Sequence, residues 1–350
     1  MLFSKLSATS FLASNLTPLR GISLKGITTM NSNESPGLTW HRSMLRCKDP
    51  VSSVKHYEER YGMKLVDVYH NPVLGKSNYF LASLRKGETW PEPGTAEAHE
   101  RLFDMQHSCV ELEHEHSAVD DPDQANAPNQ GFGHLAFLTA DVYQATEELE
   151  QAGVLFKKKP DEGRMKGLAF AYDPSGYLIE LVKRNKDAGH PEQFNLGQTM
   201  LRVKDADKSL EFYTGKGGMG MTKVCELHFD SFSLYFLQSL PPHERSQIPA
   251  PDSPEAYCRM GQLWAPVLEL THNHGTESDP TFSYHNGNTD PKGFGFLGFI
   301  VDDLDRASES LKEKGAVEIP EPAIFKGKLR RFTDPDGYHV QLALRQAVLG

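Results

Sequence analysis

The sequence predicts an α+β fold made of four similar modules, each a strand, a helix and several antiparallel strands, arranged as a tandem duplication of a two-module domain. Three observations predict this fold. Four motifs recur in the same order, 156 to 162 residues apart. Helical patterns alternate with short β-like runs along the chain. A module of this kind has one apolar sheet face that it cannot bury alone, so the modules must pair.

The duplication is visible in four motifs that occur twice. They are Met44-Leu-Arg with Met200-Leu-Arg, Val110-Glu-Leu with Leu268-Glu-Leu, Gly131-Phe-Gly with Gly293-Phe-Gly, and Asp173-Pro-Ser-Gly-Tyr with Asp334-Pro-Asp-Gly-Tyr. Self-similarity at a nearly fixed spacing indicates a repeated structural unit. We therefore expect one domain over residues 37–187 and a second over residues 193–346, joined by a polar linker near 183–193.

Within each domain the module is predicted to occur twice, and the first domain illustrates the pattern. Val54, Tyr57 and Tyr61 recur at helical spacing, and Gly62 follows as a helix stop. The elements predicted there are, in chain order, a helix over Val51–Tyr61, β-like runs at Tyr79–Leu84 and Cys109–Leu112, a strand over His134–Leu138, a helix over Val142–Ala152, and β-like runs at Leu168–Tyr172 and Tyr177–Val182.

Composition and charge argue against several classes of protein. The net charge of −10 disfavours a general nucleic-acid surface, because such affinity comes from neutralising phosphates. No run approaches the ~20 apolar residues of a membrane span. The cysteines, Cys47, Cys109, Cys225 and Cys258, are widely spaced without a CxxC pair. This pattern is typical of reduced thiols in an intracellular protein rather than of a disulfide framework.

Residues 1–36 differ from the rest of the chain. Up to residue 32 they contain three basic residues and six serines, and the first acidic residue is Glu34. A basic, serine-rich and acid-poor start is typical of an organelle transit peptide. We therefore expect import into a mitochondrion or plastid. The alternatives are a disordered tail, or a cytoplasmic form whose translation begins at Met30.

Four strand positions are polar in at least one copy, and Glu180 is the most informative. Leu178 and Val182 share its face of an extended strand, and the opposite face is also apolar. A carboxylate there is costly unless it is paired, hydrogen-bonded or metal-bound; the alternative is a strand-edge charge that reaches water. The four positions, with the first-copy residue before its second-copy counterpart, are Arg42 and Gln198, Glu111 and Glu269, His134 and Phe296, and Glu180 and Gln341.

Neither copy could hold a metal by itself. The first would place Arg42 among the ligands, and arginine stays protonated; the second would place Phe296 there. A crossed set supplies an amide oxygen, an imidazole and two carboxylates from Gln198, Glu269, His134 and Glu180. The residues left over form no such set. We predict one working metal site between the domains and one degenerate counterpart, the alternative being four unrelated polar groups on strands.

The ligand types indicate the metal and its chemistry. Two carboxylates neutralise a dication, and imidazole with amide oxygen suits Zn, Ni, Co or Mn better than Ca. Four protein ligands in an octahedral arrangement would leave two positions for water or substrate oxygens, which points to catalysis rather than to structural zinc. A metal that holds two adjacent substrate oxygens can stabilise an enediolate. A ligand carboxylate that swings free can then act as a general base.

These residues stand in six longer motifs. The motifs are QTMLRVKD at 198–205, LELTHN at 268–273, YHNGN at 284–288, GFGH at 131–134, GRMKGLAF at 163–170 and DPSGYLIE at 173–180. Together they resemble the two-domain form of the glyoxalase I (lactoylglutathione lyase) family, in the vicinal-oxygen-chelate superfamily, over residues 40–345. The resemblance implies paired βαβββ modules with a metal between modules of different domains, which agrees with the crossed set.

The resemblance also implies an activity and residue roles. The family's metal ligands fall on Gln198, Glu269, His134 and Glu180, its catalytic base falls on Glu180, and Glu269 can serve the opposite face of the substrate. The implied reaction is isomerisation of the glutathione–methylglyoxal hemithioacetal to S-lactoylglutathione, which consumes no redox cofactor. Family contacts to glutathione fall on Arg202, Asn273, Lys158, Lys159, Arg164 and Met165. For the lysines, a solvated loop is the alternative.

Two departures from the family pattern matter. Gln130 stands where the family often has a basic residue, so the effect on glutathione affinity stays open. On the degenerate side, Glu115 takes the place of Asn273 and would repel a γ-glutamyl carboxylate, so no turnover is expected there.

Rival functions are an acyl-CoA epimerase-like enzyme of the same superfamily and a metal-free module that binds a ligand between the domains. The segment 271–291 resembles the zinc-using branch, and nickel is the alternative metal. The expected partners are glutathione and methylglyoxal, without nucleic acid or membrane. The expected assembly is a monomer with an internal pseudo-dimer.

Overall fold

The computed structural model describes residues 38–117, 129–185 and 188–345, and this part of the chain has the predicted α+β fold. Its strands form two eight-stranded sheets. The predicted import segment lies outside the described residues. None of the helices described has the length and apolar character needed to cross a membrane.

The first half of the chain carries eight strands and three helices. In chain order they are β1 (Thr39–Arg46), α1 (Pro50–Tyr61), β2 (Lys64–Asn71), β3 (Lys76–Ala82), α2 (Ala96–Asp104), β4 (Cys109–Glu115), β5 (Phe132–Thr139), α3 (Val142–Gln151), β6 (Phe156–Lys158), β7 (Ala169–Tyr172) and β8 (Leu178–Lys183). The predicted strands and helices are all present, with ends that differ by a few residues. Helix α2 has no counterpart among the predicted elements.

The second half repeats this order with one additional short helix. Its elements are β9 (Phe194–Val203), α4 (Ala206–Thr214), β10 (Thr222–His228), β11 (Phe232–Gln238), α5 (Pro242–Arg245), α6 (Pro254–Met260), β12 (Val267–Asn273), β13 (Phe294–Val301), α7 (Leu304–Glu313), β14 (Glu318–Ile319), β15 (Leu329–Thr333) and β16 (His339–Leu344). Helix α6 corresponds to α2, and it too is absent from the predicted elements.

Each sheet takes strands from both halves. One sheet runs β10-β11-β12-β9-β5-β8-β7-β6, and the other runs β14-β15-β16-β13-β1-β4-β3-β2. The halves meet where β9 pairs with β5 and where β13 pairs with β1, both antiparallel. The second module of one half is therefore continuous with the first module of the other.

The helices begin and end where the sequence supplies caps. In α1 the Asp49 side chain accepts a hydrogen bond from Ser52 N at 3.1 Å, which satisfies one of the unpaired amides of the first turn. Gly62 ends the helix in the left-handed conformation, with φ of 65°, which glycine adopts without a steric penalty.

Alternation along the central strands separates a core face from a second face. Leu135, Ile179, Leu201 and Leu268 all belong to the main hydrophobic cluster, together with apolar residues of α1, α3, α4 and α7. Successive strand residues point to opposite faces. The predicted ligands, which stand at alternate positions, therefore lie on the face away from this core.

The repeated Asp-Pro-x-Gly-Tyr turns brace this core. Tyr57 of α1 donates a hydrogen bond to Asp173 at 2.9 Å, and Tyr213 of α4 donates one to Asp334 at 2.8 Å. Both carboxylates are buried, and burial raises the pKa of Asp173 to about 6. A buried carboxylate without hydrogen bonds is costly. These hydrogen bonds therefore favour a fixed position of each turn against a helix of its own half.

Candidate metal centre

Four neighbouring strands of one sheet each supply one predicted ligand. The strands β12, β9, β5 and β8 lie side by side and carry Glu269, Gln198, His134 and Glu180 respectively. All four side chains are buried. Two of the strands belong to each half of the chain, so the structure assembles this cluster across the duplication.

The side chains converge to contact distance. Ligand atoms of His134, Glu180 and Glu269 all lie within 4.8 Å of one another. Gln198 joins them, because its Nε2 donates hydrogen bonds to Glu180 Oε2 at 3.1 Å and to Glu269 Oε2 at 2.7 Å. A half-turn about the Cγ–Cδ bond exchanges Nε2 for Oε1, so the same side chain can offer an oxygen ligand to a cation.

The electrostatics of the cluster fit a bound cation. His134 Nε2 lies 3.1 Å from Glu180 Oε2 and 3.8 Å from Glu269 Oε2. Neither contact has hydrogen-bond geometry, so this buried nitrogen has no hydrogen-bond partner among the described residues. Burial disfavours a charge on His134, but the negative charges of Glu180 and Glu269 outweigh it and raise its pKa to about 9. Two buried carboxylates therefore demand positive charge, and the donor set suits a divalent metal.

Two residues that the sequence did not single out support the cluster. Thr271, two residues after Glu269 on β12, donates a hydrogen bond from Oγ1 to Glu269 Oε1 at 3.0 Å. Phe170 of β7 contacts the His134 ring edge-on, with 5.6 Å between ring centroids. Partners of this kind fix the orientation of metal ligands. The motif LELTHN contains the threonine, but nothing in the motif alone shows which carboxylate oxygen it contacts.

A cavity of about 440 Å³ borders the cluster. Beside the four cluster residues, its walls are mainly apolar. They come from strands β5 and β7–β11, from α6 and from the loops beside them, and they include Phe229, Phe232, Leu234 and Met260. A largely apolar pocket with a few convergent polar groups is typical of a small-molecule site. The cavity therefore presents the cluster to a ligand that carries both polar and apolar parts.

The predicted glutathione contacts divide into two groups. Arg202 and Met165 line the cavity. Asn273, Lys158, Lys159 and Arg164 are not among its described lining residues. Instead, Asn273 Nδ2 donates to Tyr284 Oη at 2.9 Å, Lys158 Nζ donates to Met165 O at 2.7 Å, and Lys159 pairs with Glu150 at 2.5 Å. Gln130 contributes its main chain, because its carbonyl accepts a hydrogen bond from Arg202 Nη1 at 3.0 Å.

The other sheet carries the counterpart cluster on β4, β1, β13 and β16. There the Arg42 guanidinium lies among the other three side chains. Its Nε donates to Glu111 Oε2 at 2.6 Å, its Nη2 donates to Gln341 Oε1, and its Cζ lies 5.5 Å from the centre of the Phe296 ring. Asn78 Nδ2 donates to the second oxygen of Glu111 at 2.7 Å. The buried carboxylate is thus paired by the chain itself.

Gly298 makes room for that arginine. It faces Arg42 across the β1–β13 pairing, and a Cβ built at this position would lie 2.7 Å from Arg42 Cγ. Its counterpart in the sheet that carries His134 is Ala136, which faces the smaller Gln198. The glycine and the arginine are therefore matched substitutions in one cluster.

Comparison with known protein families and proteins gives consistent matches. The family model described as "Glyoxalase/Bleomycin resistance protein/Dioxygenase superfamily" matches the chain twice, over residues 39–181 and 195–342. A Saccharomyces cerevisiae protein named glyoxalase I is 35% identical over 324 residues, covering 89% of this chain and 94% of its own. A Schizosaccharomyces pombe lactoylglutathione lyase is 32% identical over 317 residues, covering 86% and 95%.

Solved structures give a similar result. A crystal structure of glyoxalase I from Zea mays is 25% identical to this chain and superposes with a TM-score of 0.63, covering 89% of this chain and 94% of its own. The similarity extends over both halves, so the two-domain arrangement is shared with these relatives.

Proposed function

The chain belongs to the Glyoxalase/Bleomycin resistance protein/Dioxygenase superfamily, and from this membership we propose that it is a lactoylglutathione lyase, which isomerises the hemithioacetal of glutathione and methylglyoxal to S-lactoylglutathione. One observation carries the proposal. A buried imidazole, two carboxylates and an amide converge from four strands at the wall of a cavity large enough for such a substrate. The alternatives of an epimerase-like enzyme and a metal-free module have no comparable support.

The proposed reaction moves one proton between adjacent carbons. The proton leaves the carbon that carries sulfur and hydroxyl, and it arrives at the neighbouring carbonyl carbon, so no electron acceptor is required. A divalent metal held by His134, Glu180, Glu269 and Gln198 would supply positive charge that offsets the charge developing on the two substrate oxygens. Glu180 takes the proton as general base, since a carboxylate is the basic group of the cluster that can also return it.

The two carboxylates reach the substrate from different sides. Glu180 comes from β8 and Glu269 from β12, which are the outer strands of the four that carry the cluster. We propose Glu180 as the base for one face of the substrate and Glu269 for the opposite face. The mainly apolar walls around them lower the polarity of the surroundings, which strengthens the interaction of charges inside the cavity.

For glutathione, the cavity supports a smaller set of contacts than the family pattern implies. Arg202 is the cation that lines the cavity among the six predicted residues, and Met165 adds an apolar contact. We propose Arg202 for a carboxylate of glutathione. Lys158 braces the 159–168 loop, with hydrogen bonds to Met165 O and Leu168 O. Asn273, Lys159 and Arg164 would contact glutathione after local rearrangement of their side chains.

The remaining proposals concern the metal and the setting of the enzyme. We propose zinc as the metal, with nickel second, and no turnover at the cluster that contains Arg42. We further propose that residues 1–36 direct import, that the domains extend over 37–187 and 193–346, and that the protein is a monomer. Each rests on the sequence patterns described above.

An assay of metal-free protein tests the proposed function. The protein is stripped with a chelator, and Zn, Ni, Co or Mn is restored singly while thioester formation from methylglyoxal and glutathione is followed. We expect no turnover without metal and recovery at one equivalent per chain. The matched control is His134→Ala, which metal should fail to restore. Full turnover by protein that retains no bound metal would refute the proposal.

A further inference from the structure

Helices α2 and α6 occupy equivalent places in the two halves, which allows their residues to be compared one by one. Their N-caps, Thr95 and Ser253, each stand 16 residues before the cluster glutamates Glu111 and Glu269. Each N-cap side chain accepts a hydrogen bond from the amide three residues later, at 3.2 Å. The spacing makes Phe103 the counterpart of Gly261.

In the first half, a pair of rings fills the space behind the Arg42 cluster. Phe103 is buried and packs against Ile300, Leu329 and Ala343 of the other half. The His41 ring stacks on it, with 5.7 Å between centroids and an interplanar angle of 4°. His41 Nε2 also donates to the carbonyl of residue 102 at 2.7 Å. The end of α2 is therefore held by packing and a hydrogen bond over this space.

In the second half, both rings are replaced by glycine. Gly197 stands in place of His41, and Gly261 stands in place of Phe103. The counterparts of the three residues that Phe103 packs against are Leu138, Leu168 and Val182, and all three line the open cavity together with Gly261. The region that Phe103 fills on one side is thus part of the substrate cavity on the other side.

Asn185, just after β8, holds the end of α6 at the cavity wall. Its backbone N donates to Gly261 O at 2.8 Å, and its Nδ2 donates to Cys258 O at 2.8 Å. A Cβ at Gly261 would lie 2.7 Å from Asn185 Cγ and Oδ1. Gly261 has φ of −71° and ψ of −3°, which any residue adopts, so space rather than backbone conformation requires the glycine.

We propose that Gly261 is a specificity-determining residue, which sets the largest apolar group that fits beside the cluster, and that Asn185 is the positioning residue that fixes α6 at this distance. The proposal deepens the proposed function and rests on it for the glutathione part of the ligand. The apolar group concerned is the substituent on the glutathione sulfur, which in the substrate comes from the aldehyde. It would face the apolar wall formed by Phe229, Phe232 and Met260.

Binding of two glutathione thioethers to the metal-loaded enzyme tests this proposal without any chemical step. S-methylglutathione and S-benzylglutathione share the peptide and differ in the apolar group. In Gly261→Phe, we expect binding of the S-benzyl compound to weaken about 30-fold, because the phenyl group loses its buried surface. Binding of the S-methyl compound should change less than about 3-fold, since this group is too small to reach the filled region. Calorimetry gives both constants.

Two further variants keep the outcome interpretable. Phe103→Leu is the matched control in the filled half and should leave both constants unchanged. Asn185→Ala keeps the backbone bond to α6 but loses the side-chain bond, so the S-benzyl to S-methyl affinity ratio should fall about 3- to 10-fold. This ratio decides the question if Gly261→Phe fails to fold.

Each other result counts against the proposal. An unchanged affinity ratio in both variants would overturn the role of Gly261 and Asn185 while leaving the proposed function intact. Equal loss of both ligands by a folded, metal-loaded Gly261→Phe protein would also overturn it, because the position would then block the peptide. Failure of the unaltered enzyme to bind either thioether would remove the proposed function and this inference together.

Discussion

The two clusters between the halves stand at equivalent strand positions but differ in the source of their positive charge. In one cluster, Glu180 and Glu269 face His134 Nε2, which has no hydrogen-bond partner among the described residues. In the other, the Arg42 guanidinium donates to Glu111 and Gln341 and no ligand is needed. The first arrangement calls for an added cation, and the second carries its own.

This difference has a chemical consequence. A guanidinium offers only hydrogen-bond donors. It has no coordination position that a substrate oxygen could occupy. A metal ion held by His134, Glu180, Glu269 and Gln198 would instead leave room for substrate oxygens among its ligands. The clusters differ at three of the four positions, and the exchange of glutamine for arginine is the one that puts a cation of the chain itself beside the carboxylate. Gly298 supplies the room that this arginine needs.

The two clusters also differ in how much space lies beside them. Phe103 fills on one side the region that Gly261 leaves open on the other. A cation and a ring from the chain itself thus stand where the working side would take a metal and an apolar substrate group. Pseudo-symmetry of the fold therefore does not produce symmetry of the chemistry. A smaller cavity of about 200 Å³ still borders the Arg42 cluster, with Glu111, Phe296 and Gln341 in its lining.

The largest expected effect concerns Glu180, the proposed base. Glu180→Gln keeps the shape of the side chain but removes its basicity, so kcat should fall by about 10²- to 10⁴-fold. The counterpart of Glu180 in the Arg42 cluster, Gln341, is already an amide. The matched control is therefore Phe296→Leu in the Arg42 cluster, which should leave kcat within about 2-fold. Thioester formation at saturating substrate measures both, with metal content determined in parallel. Comparable losses in the two variants would mean that both clusters work.

Stability should respond in the opposite way. Glu111→Ala leaves the buried Arg42 without its carboxylate, and breaking a buried ion pair from one side costs about 3–5 kcal/mol of unfolding free energy. Glu269→Ala in metal-free protein should cost less, about 1–2 kcal/mol, because the loss of the hydrogen bonds from Gln198 and Thr271 is partly offset by the removal of one of two repelling buried carboxylates. Denaturant unfolding of the metal-free variants measures the difference. Equal losses would show that Arg42 gives its cluster no special stability.

The strand positions of both clusters could be predicted from the sequence because the duplication provides an internal comparison. Each position occurs twice, and the substitutions between copies are complementary only when the halves are crossed. Glu180 alone left two interpretations open, since a carboxylate between apolar neighbours on a strand is costly unless it has a partner or reaches water at the strand edge, and the comparison of the copies favoured the first. These are local patterns, which depend on alternation and on the chemistry of single residues.

What could not be predicted depends on long-range packing. Helices α2 and α6 are short, and the contact of Asn185 with Gly261 joins residues 76 positions apart, so no local pattern reveals it. The predicted glutathione contacts outside the cavity show a related limit. The surface lysine Lys159 forms an ion pair with Glu150. Exposed ion pairs are weak, so sequence motifs do not predict which partner such a side chain contacts.

The smallest expected effect concerns how one carboxylate is held. Thr271→Val replaces the hydroxyl that donates to Glu269 Oε1 at 3.0 Å with a methyl group of similar size. Loss of one hydrogen bond is worth about 0.5–1.5 kcal/mol, so kcat/KM should fall about 3- to 10-fold. Thr271→Ser keeps the hydroxyl and should restore most of the rate. Glu113, the counterpart of Thr271, pairs instead with Lys76 at 2.8 Å, so Glu113→Gln should leave kcat/KM unchanged. If Glu113→Gln lowered the rate as much as Thr271→Val, the support given by Thr271 would not be specific to the cluster that contains His134.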